Sequence, residues 1–222
     1  MLSVKETTLR VAQTRGKAVK VVVFGASGRT GRLVVEQALA KRHAVTAFVR
    51  NPASVAEAPP TLRVVVGDAL DESAVEAVVT GQDAVVSTIG PNSNRPDNVG
   101  SASTASIVNA MKRQGVRRLL CISSADDIDS GFLFERMVKP LFLRHVFADK
   151  VAQELVIYKS GLDWTIVRPP ILRDGPRTGA YRLAIGVTPK AGWRVSRADV
   201  ADFIVRELGR KDYVHQTVGI AY

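Results

Sequence analysis

A single cysteine, Cys121, in a chain of 222 residues excludes an internal disulfide framework and fits a reducing compartment. It sits inside the apolar run Leu119-Leu120-Cys121-Ile122, where a thiol behaves as a small buried hydrophobe rather than as a reactive group. Histidine is also scarce. His43, His145 and His215 share no metal-ligand spacing with one another or with Cys121, so no metal site is expected. Aromatic residues make up 6% of the chain and do not interleave with its basic pairs, Lys112-Arg113, Arg117-Arg118 and Arg210-Lys211. With no continuous basic run either, a nucleic-acid partner is not expected. No apolar stretch approaches the roughly 18 residues of a membrane-spanning helix.

Residues 1–17 carry Lys5, Arg10, Arg15 and Lys17 against one acid, Glu6, and have no apolar core of the secretory kind. They read as a disordered or loosely docked arm in a cytoplasmic protein. Their basic, acid-poor character keeps organelle targeting as an alternative. Residues 18–222 suit one α/β domain, since such domains commonly run to about 200–250 residues. Net charge is +10 and is unevenly placed: residues 101–222 hold 19 Lys/Arg against 12 Asp/Glu, the first hundred 12 against 9. Excess positive charge in the half that shapes a substrate side suits a small aromatic or anionic ligand. The sequence leaves the oligomeric state open, with a monomer favoured.

Along the chain, short β-branched runs alternate with helical periods. Val19–Phe24 is bounded by glycine and reads as a strand buried on both faces, and apolar residues then recur at helical spacing from Arg29 to Arg42. Strands at 44–49, 62–66, 83–89, 117–123 and 164–168 alternate with helices near 71–79, 98–114 and 147–159. This predicts a Rossmann-type, doubly wound parallel sheet with helices on both faces. Beyond Pro169-Pro170 the alternation loosens into a small C-terminal, substrate-side region with a strand-like segment at 180–185. Ser196-Arg197-Ala198-Asp199 has capping-box spacing ahead of a helix, and Gln216–Ala221 closes the chain as a strand.

The chemistry centres on Gly25-Ala-Ser-Gly-Arg-Thr-Gly31, which follows a strand and opens a helix. Gly25 would make the tight turn, Gly28 would let backbone approach a pyrophosphate, and Gly31 would let helix and strand pack closely. Helix N-terminal N–H groups then meet the phosphate charge, with Ser27, Arg29 and Thr30 adding side-chain contacts. About 20 residues beyond Gly31, where an NAD-binding protein carries an acid for the ribose diol, stands Arg50. A guanidinium fork there suits a 2′-phosphate, so NADP(H) is the expected cofactor. Asp68-Ala69, after the third strand, falls beside the adenine pocket; Asp68 either accepts from the exocyclic amine or caps the next helix. Thr88-Ile89-Gly90 would run past the ribose and nicotinamide at the strand ends.

These pieces, together with Val45-Thr-Ala-Phe-Val-Arg50, Val66-Gly-Asp-Ala-Leu70, Gly81-Gln-Asp-Ala-Val85, Ser160-Gly-Leu, Arg168-Pro-Pro and Gly179-Ala-Tyr181, resemble the atypical short-chain dehydrogenases with NmrA-like NAD(P)-binding domains. Within that family they look most like the flavin and biliverdin-IX-beta reductases, over residues 18–222. The resemblance implies NADPH-dependent hydride transfer to a conjugated acceptor such as a flavin or quinone. It also implies roles for Lys150 as orienter of the nicotinamide ribose, for Ser123 and Ser124 against nicotinamide or substrate, and for Pro169, Pro170 and Ile171 as a wall near the reactive ring. Where short-chain dehydrogenases place a tyrosine four residues before the lysine, this chain has Val146, and Tyr158 has Leu162 in place of a lysine. The usual proton donor for a ketone is missing, which moves the expected substrate toward acceptors that take hydride into a conjugated system. A non-catalytic NADP(H)-binding regulator, as some NmrA-like proteins are, is the alternative.

Overall fold

The structure, a computed structural model, describes residues 18–52, 59–90, 98–125 and 144–222. The N-terminal arm, residues 1–17, lies outside the described residues. The uninterrupted apolar run that begins the domain becomes β1 (Lys20–Phe24), whose last four residues are all buried. The reason is its position: β1 pairs in parallel with β2 (Ala44–Val49) on one side and β4 (Ala84–Ser87) on the other, with helices above and below. Such a strand has no solvent face, so it needs no polar alternation.

β3 (Arg63–Val66), β5 (Arg118–Ile122), β6 (Asp163–Arg168) and β10 (Gln216–Ala221) extend the parallel sheet, and β8 (Arg182–Ile185) closes its edge antiparallel to β10. The strand order is β3-β2-β1-β4-β5-β6-β10-β8, so the winding reverses between β1 and β4. A crevice at that reversal, outside the carboxyl ends of the strands, is where doubly wound sheets take ligands.

Two cores follow from the period-two alternation of the strands. On one face α1 (Arg29–Ala40) and α5 (Arg197–Arg210) cover Val21, Val23, Leu120, Val167 and Val218. On the other, α2 (Glu72–Val79), α3 (Val99–Gln114) and α4 (Arg144–Tyr158) cover Val22, Phe24, Leu119, Cys121 and Ile166. Cys121 is a free, buried thiol, and burial pushes it up to about 11, as expected of a core residue.

The C-terminal region holds a feature that the sequence period does not signal. β7 (Ile171–Arg173) and β9 (Arg194–Ser196) pair in parallel as a separate two-stranded sheet. The capping box ahead of α5 forms only by half. Ser196 Oγ accepts from Asp199 N at 3.0 Å, but Ser196 N donates to the Tyr222 hydroxyl at 3.2 Å. The Asp199 carboxylate instead accepts from Thr178 N, Gly179 N, Thr178 Oγ1 and the Tyr222 hydroxyl, all within 2.9 Å. A carboxylate with four donors anchors both the loop at 178–179 and the C-terminus to α5.

Candidate functional site

The glycine turn follows β1 and opens α1 at the sheet's point of reversal. Gly25 has φ +75°, which side chains rarely adopt, and Gly28 N donates to Gly25 O at 2.9 Å to close the turn. A Cβ at Gly31 would lie 2.1 Å from Gly25 O, so helix and turn touch backbone to backbone. Thr88, just past β4, braces this arrangement, its hydroxyl lying 3.0 Å from Phe24 O and 3.1 Å from Gly25 O. Thr88 therefore shapes the turn rather than presenting its hydroxyl to a ligand.

Gly28 is the N-cap of α1 and has no side chain to satisfy the helix; Arg32 N is the N–H that reaches back to Gly28 O, at 3.0 Å. The N–H groups of Arg29, Thr30 and Gly31 thus mark an anion cradle that any Cβ at Gly31 would disrupt. Ser27 and Thr30 stand half-buried on its rim. The residues present fit the diphosphate of a nicotinamide dinucleotide. Two contacts at the rim are not legible in the motif. Arg32 Nε donates to Ser27 O at 3.0 Å, and the Arg29 guanidinium pairs with Asp174, directly after β7.

Arg50 follows β2 immediately and is exposed, at the strand end where the adenosine ribose would lie. For Asp68 the helix-cap alternative is corrected: Asp71 caps α2, accepting from Ser73 N at 2.9 Å and Ala74 N at 3.2 Å. Asp68 Oδ1 accepts from Leu70 N at 3.0 Å in a local turn and the residue stays exposed, while Ala69 packs on the second core. Ile89 and Gly90 are half-buried beyond β4.

Lys150 is placed differently from the expectation that it orients a ribose. Its ammonium is buried beneath the strand ends, with all three protons directed to Ile89 O and Ile122 O at 3.3 Å and Gln153 Oε1 at 2.9 Å. Burial lowers its pKa. Gln153 continues the network to Thr104 Oγ1 at 3.0 Å and Cys121 Sγ at 3.3 Å. Lys150 therefore ties α4 to the ends of β4 and β5, which is a positioning place.

Ser123 is likewise turned inward toward α4. Its hydroxyl makes no well-aligned hydrogen bond, but lies close enough to Glu154 to help hold that carboxylate ionised. Burial works to raise Glu154, yet Arg168, Ser123 and Tyr158 outweigh it and leave the group below its ordinary value. Arg168 Nε donates to Glu154 Oε1 at 2.9 Å and the Tyr158 hydroxyl to Oε2 at 3.0 Å. Tyr158 is thereby engaged at the far end of α4. Ser124, half-buried at the end of β5, is the serine not drawn into this packing.

Pro169 and Pro170 are buried at the end of β6, and Ala125 N donates to Pro169 O at 3.1 Å. Ile171 is half-exposed and begins β7. Beside it the half-exposed Trp193 ring carries the Arg194 guanidinium 4.8 Å and the Arg173 guanidinium 5.5 Å from its centroid. Arg177 pairs with Asp202 at 3.5 Å. Among the described residues no group of histidine, cysteine and carboxylates could hold a metal ion, and no helix is long and apolar enough to cross a membrane.

Comparison with known proteins places the fold among nucleotide-binding relatives. A chloroplastic protein of Arabidopsis thaliana is 31% identical over 94% of this chain and 79% of its own length. A Bacillus subtilis protein named as a sugar epimerase is 27% identical over 87% of this chain and 90% of its own. Among solved structures, ChuY of Escherichia coli O157:H7, an anaerobillin reductase, superposes with a TM-score of 0.76 at 26% identity, covering 91% of this chain and 96% of that one. The family model described as NAD(P)H-binding matches residues 25–211, from the first glycine of the turn to the residue after α5. With its glycine turn at the reversal of a doubly wound sheet, this chain belongs to the NAD(P)H-binding Rossmann-fold family.

Proposed function

We propose that this protein is an NADPH-dependent reductase that passes hydride to a conjugated acceptor such as a flavin or quinone. The observation that carries the reading lies on α4: Val146 stands one turn before Lys150, and the Lys150 ammonium is committed to Ile89 O, Ile122 O and Gln153. The tyrosine–lysine pair that delivers a proton to a nascent alkoxide is therefore not formed. Ketone reduction needs such a proton, whereas a conjugated ring spreads the incoming charge and collects its proton from water. The cofactor, when bound, supplies the hydride.

The protein's part is positioning. The glycine turn holds the diphosphate, and the Arg50 fork takes a 2′-phosphate that an acid would repel. Asp68 and Ala69 lie along the adenine side, Pro169, Pro170 and Ile171 wall the reactive ring, and Ser124 contacts nicotinamide or acceptor. Trp193, with Arg173 and Arg194 against it, supports an acceptor that is planar and carries negative charge. The reductase named among the structural relatives supports the reaction class. The chloroplast named for the Arabidopsis relative supports reading residues 1–17 as an organelle address rather than a cytoplasmic arm.

The test is NADPH oxidation in the presence of FMN, riboflavin and quinones. Turnover with at least one, and an Arg50→Glu variant that loses NADPH far more than NADH, is the expected result. Tight NADPH binding without turnover would reject the reductase. The missing proton-donor pair would then favour the second reading, an NADP(H)-binding regulator.

A further inference from the structure

Asp174 places a carboxylate against the rim of the glycine turn. It follows β7 directly and pairs with Arg29, the first residue of α1, and through its other oxygen with Arg197 Nη1 at 2.9 Å. Arg197 is the first residue of α5, directly after β9. One carboxylate therefore bridges the N-termini of two helices, one of which opens the cofactor site. Its two partners differ in character. The Arg29 side chain is 66% exposed and can turn, whereas that of Arg197 is 13% exposed and fixed against the fold. Arg29, then Arg197, holds the Asp174 carboxyl below its ordinary value.

We propose that Asp174 is a placeholder anion that occupies Arg29 until cofactor arrives, and so sets cofactor affinity. This rests on the reading of the glycine turn as a diphosphate cradle. A phosphate at the first-turn N–H groups of α1 and the Asp174 carboxylate draw on the same guanidinium, and each repels the other. Arg29 must leave Asp174 to serve the phosphate, while Asp174 keeps Arg197 and the β7–β9 sheet keeps its anchor. The contact thus lowers affinity without loosening the substrate side.

The experiment is calorimetric titration of NADP⁺ at low ionic strength into the full-length wild type, Asp174→Asn, Arg29→Gln and the double variant. Asp174→Asn should bind about fivefold more tightly, the scale on which an exposed ion pair competes. Arg29→Gln should bind more weakly, and adding Asp174→Asn to it should change affinity by less than about twofold, since the competition then has no object. The advantage of Asp174→Asn should shrink as salt is raised. Unchanged or weaker binding by Asp174→Asn overturns the proposal, as does equal tightening in the absence of Arg29, which would mark general electrostatics. Wild-type protein that binds neither NADP⁺ nor NAD⁺ overturns the cradle reading too, and the wild-type titration alone reveals that case.

Discussion

At Gly31 a single added carbon would collide with the glycine turn. A methyl group there would meet the Gly25 carbonyl at 2.1 Å, a contact no rotamer change relieves because a Cβ is fixed by its own backbone and the carbonyl is itself backbone. Gly31→Ala should cost about 1–3 kcal/mol of stability, the range for overpacking a rigid contact. It should also weaken nicotinamide nucleotide binding by more than it destabilises the fold. Denaturant unfolding and a cofactor titration on the same preparation would separate the two effects. This residue was legible in the sequence because each glycine in the motif answers a local demand of turn, approach or packing. Lys150 was not legible in the same way. Its position along α4 matches a known pattern, but its partners Ile89 and Ile122 come from two different strands, and nothing in the local sequence says that their carbonyls absorb its protons.

Among the elements, α3 shows how far a cap can come from. Its N-cap residue, Asn98, lies in the left-handed region and caps nothing with its side chain. The buried Asp149 carboxylate on α4 accepts from Gly100 N at 3.0 Å and Ser101 N at 2.9 Å instead. Gly100 leaves the room for this, since a Cβ there would sit 2.5 Å from Asp149 Oδ2. Asp149→Ala should therefore cost about 1–2 kcal/mol, the value of an N-cap. Hydrogen exchange should show the first turn of α3 losing protection ahead of its centre. Equal protection along the helix would contradict the assignment. Helix positions were readable from period alone, but this cap joins residues 49 apart and has no sequence signature. The same holds for β7 and β9: three-residue strands are too short to show a period, and they pair across a segment that contains β8.

Taken whole, the molecule carries ionised carboxylates where its layers meet. Glu154 sits between α4, β5 and β6, and Asp199 between α5, the loop at 178–179 and the C-terminus. For each, burial raises the carboxyl but hydrogen bonds outweigh it, so the folded value lies below the unfolded one. The stability they contribute is complete above the unfolded value, about 4, and drains as pH falls through the lower folded values. Asp199→Asn should be less stable than wild type near neutral pH and lose less on acidification, so that urea midpoints of the two proteins converge in acid. Parallel midpoints across that range would remove Asp199 from the account.

The parallel, doubly wound sheet with helices on both faces was readable from alternating periods, because strand and helix each impose their own spacing; the strand order and the antiparallel edge strand β8 were not, since pairing between distant strands leaves no local period. What the site does with its cofactor depends on side chains that the fold alone does not choose. The proposed hydride transfer needs no proton donor from the protein, and the sharpest test is an anaerobic single-turnover reaction of the protein with NADPH and FMN. The predicted result is one flavin reduced for each NADPH oxidised, faster than with NADH and with no rate-limiting group titrating in the protein. Bound NADPH that persists unoxidised beside unreduced FMN, with quinone giving the same outcome, would contradict it.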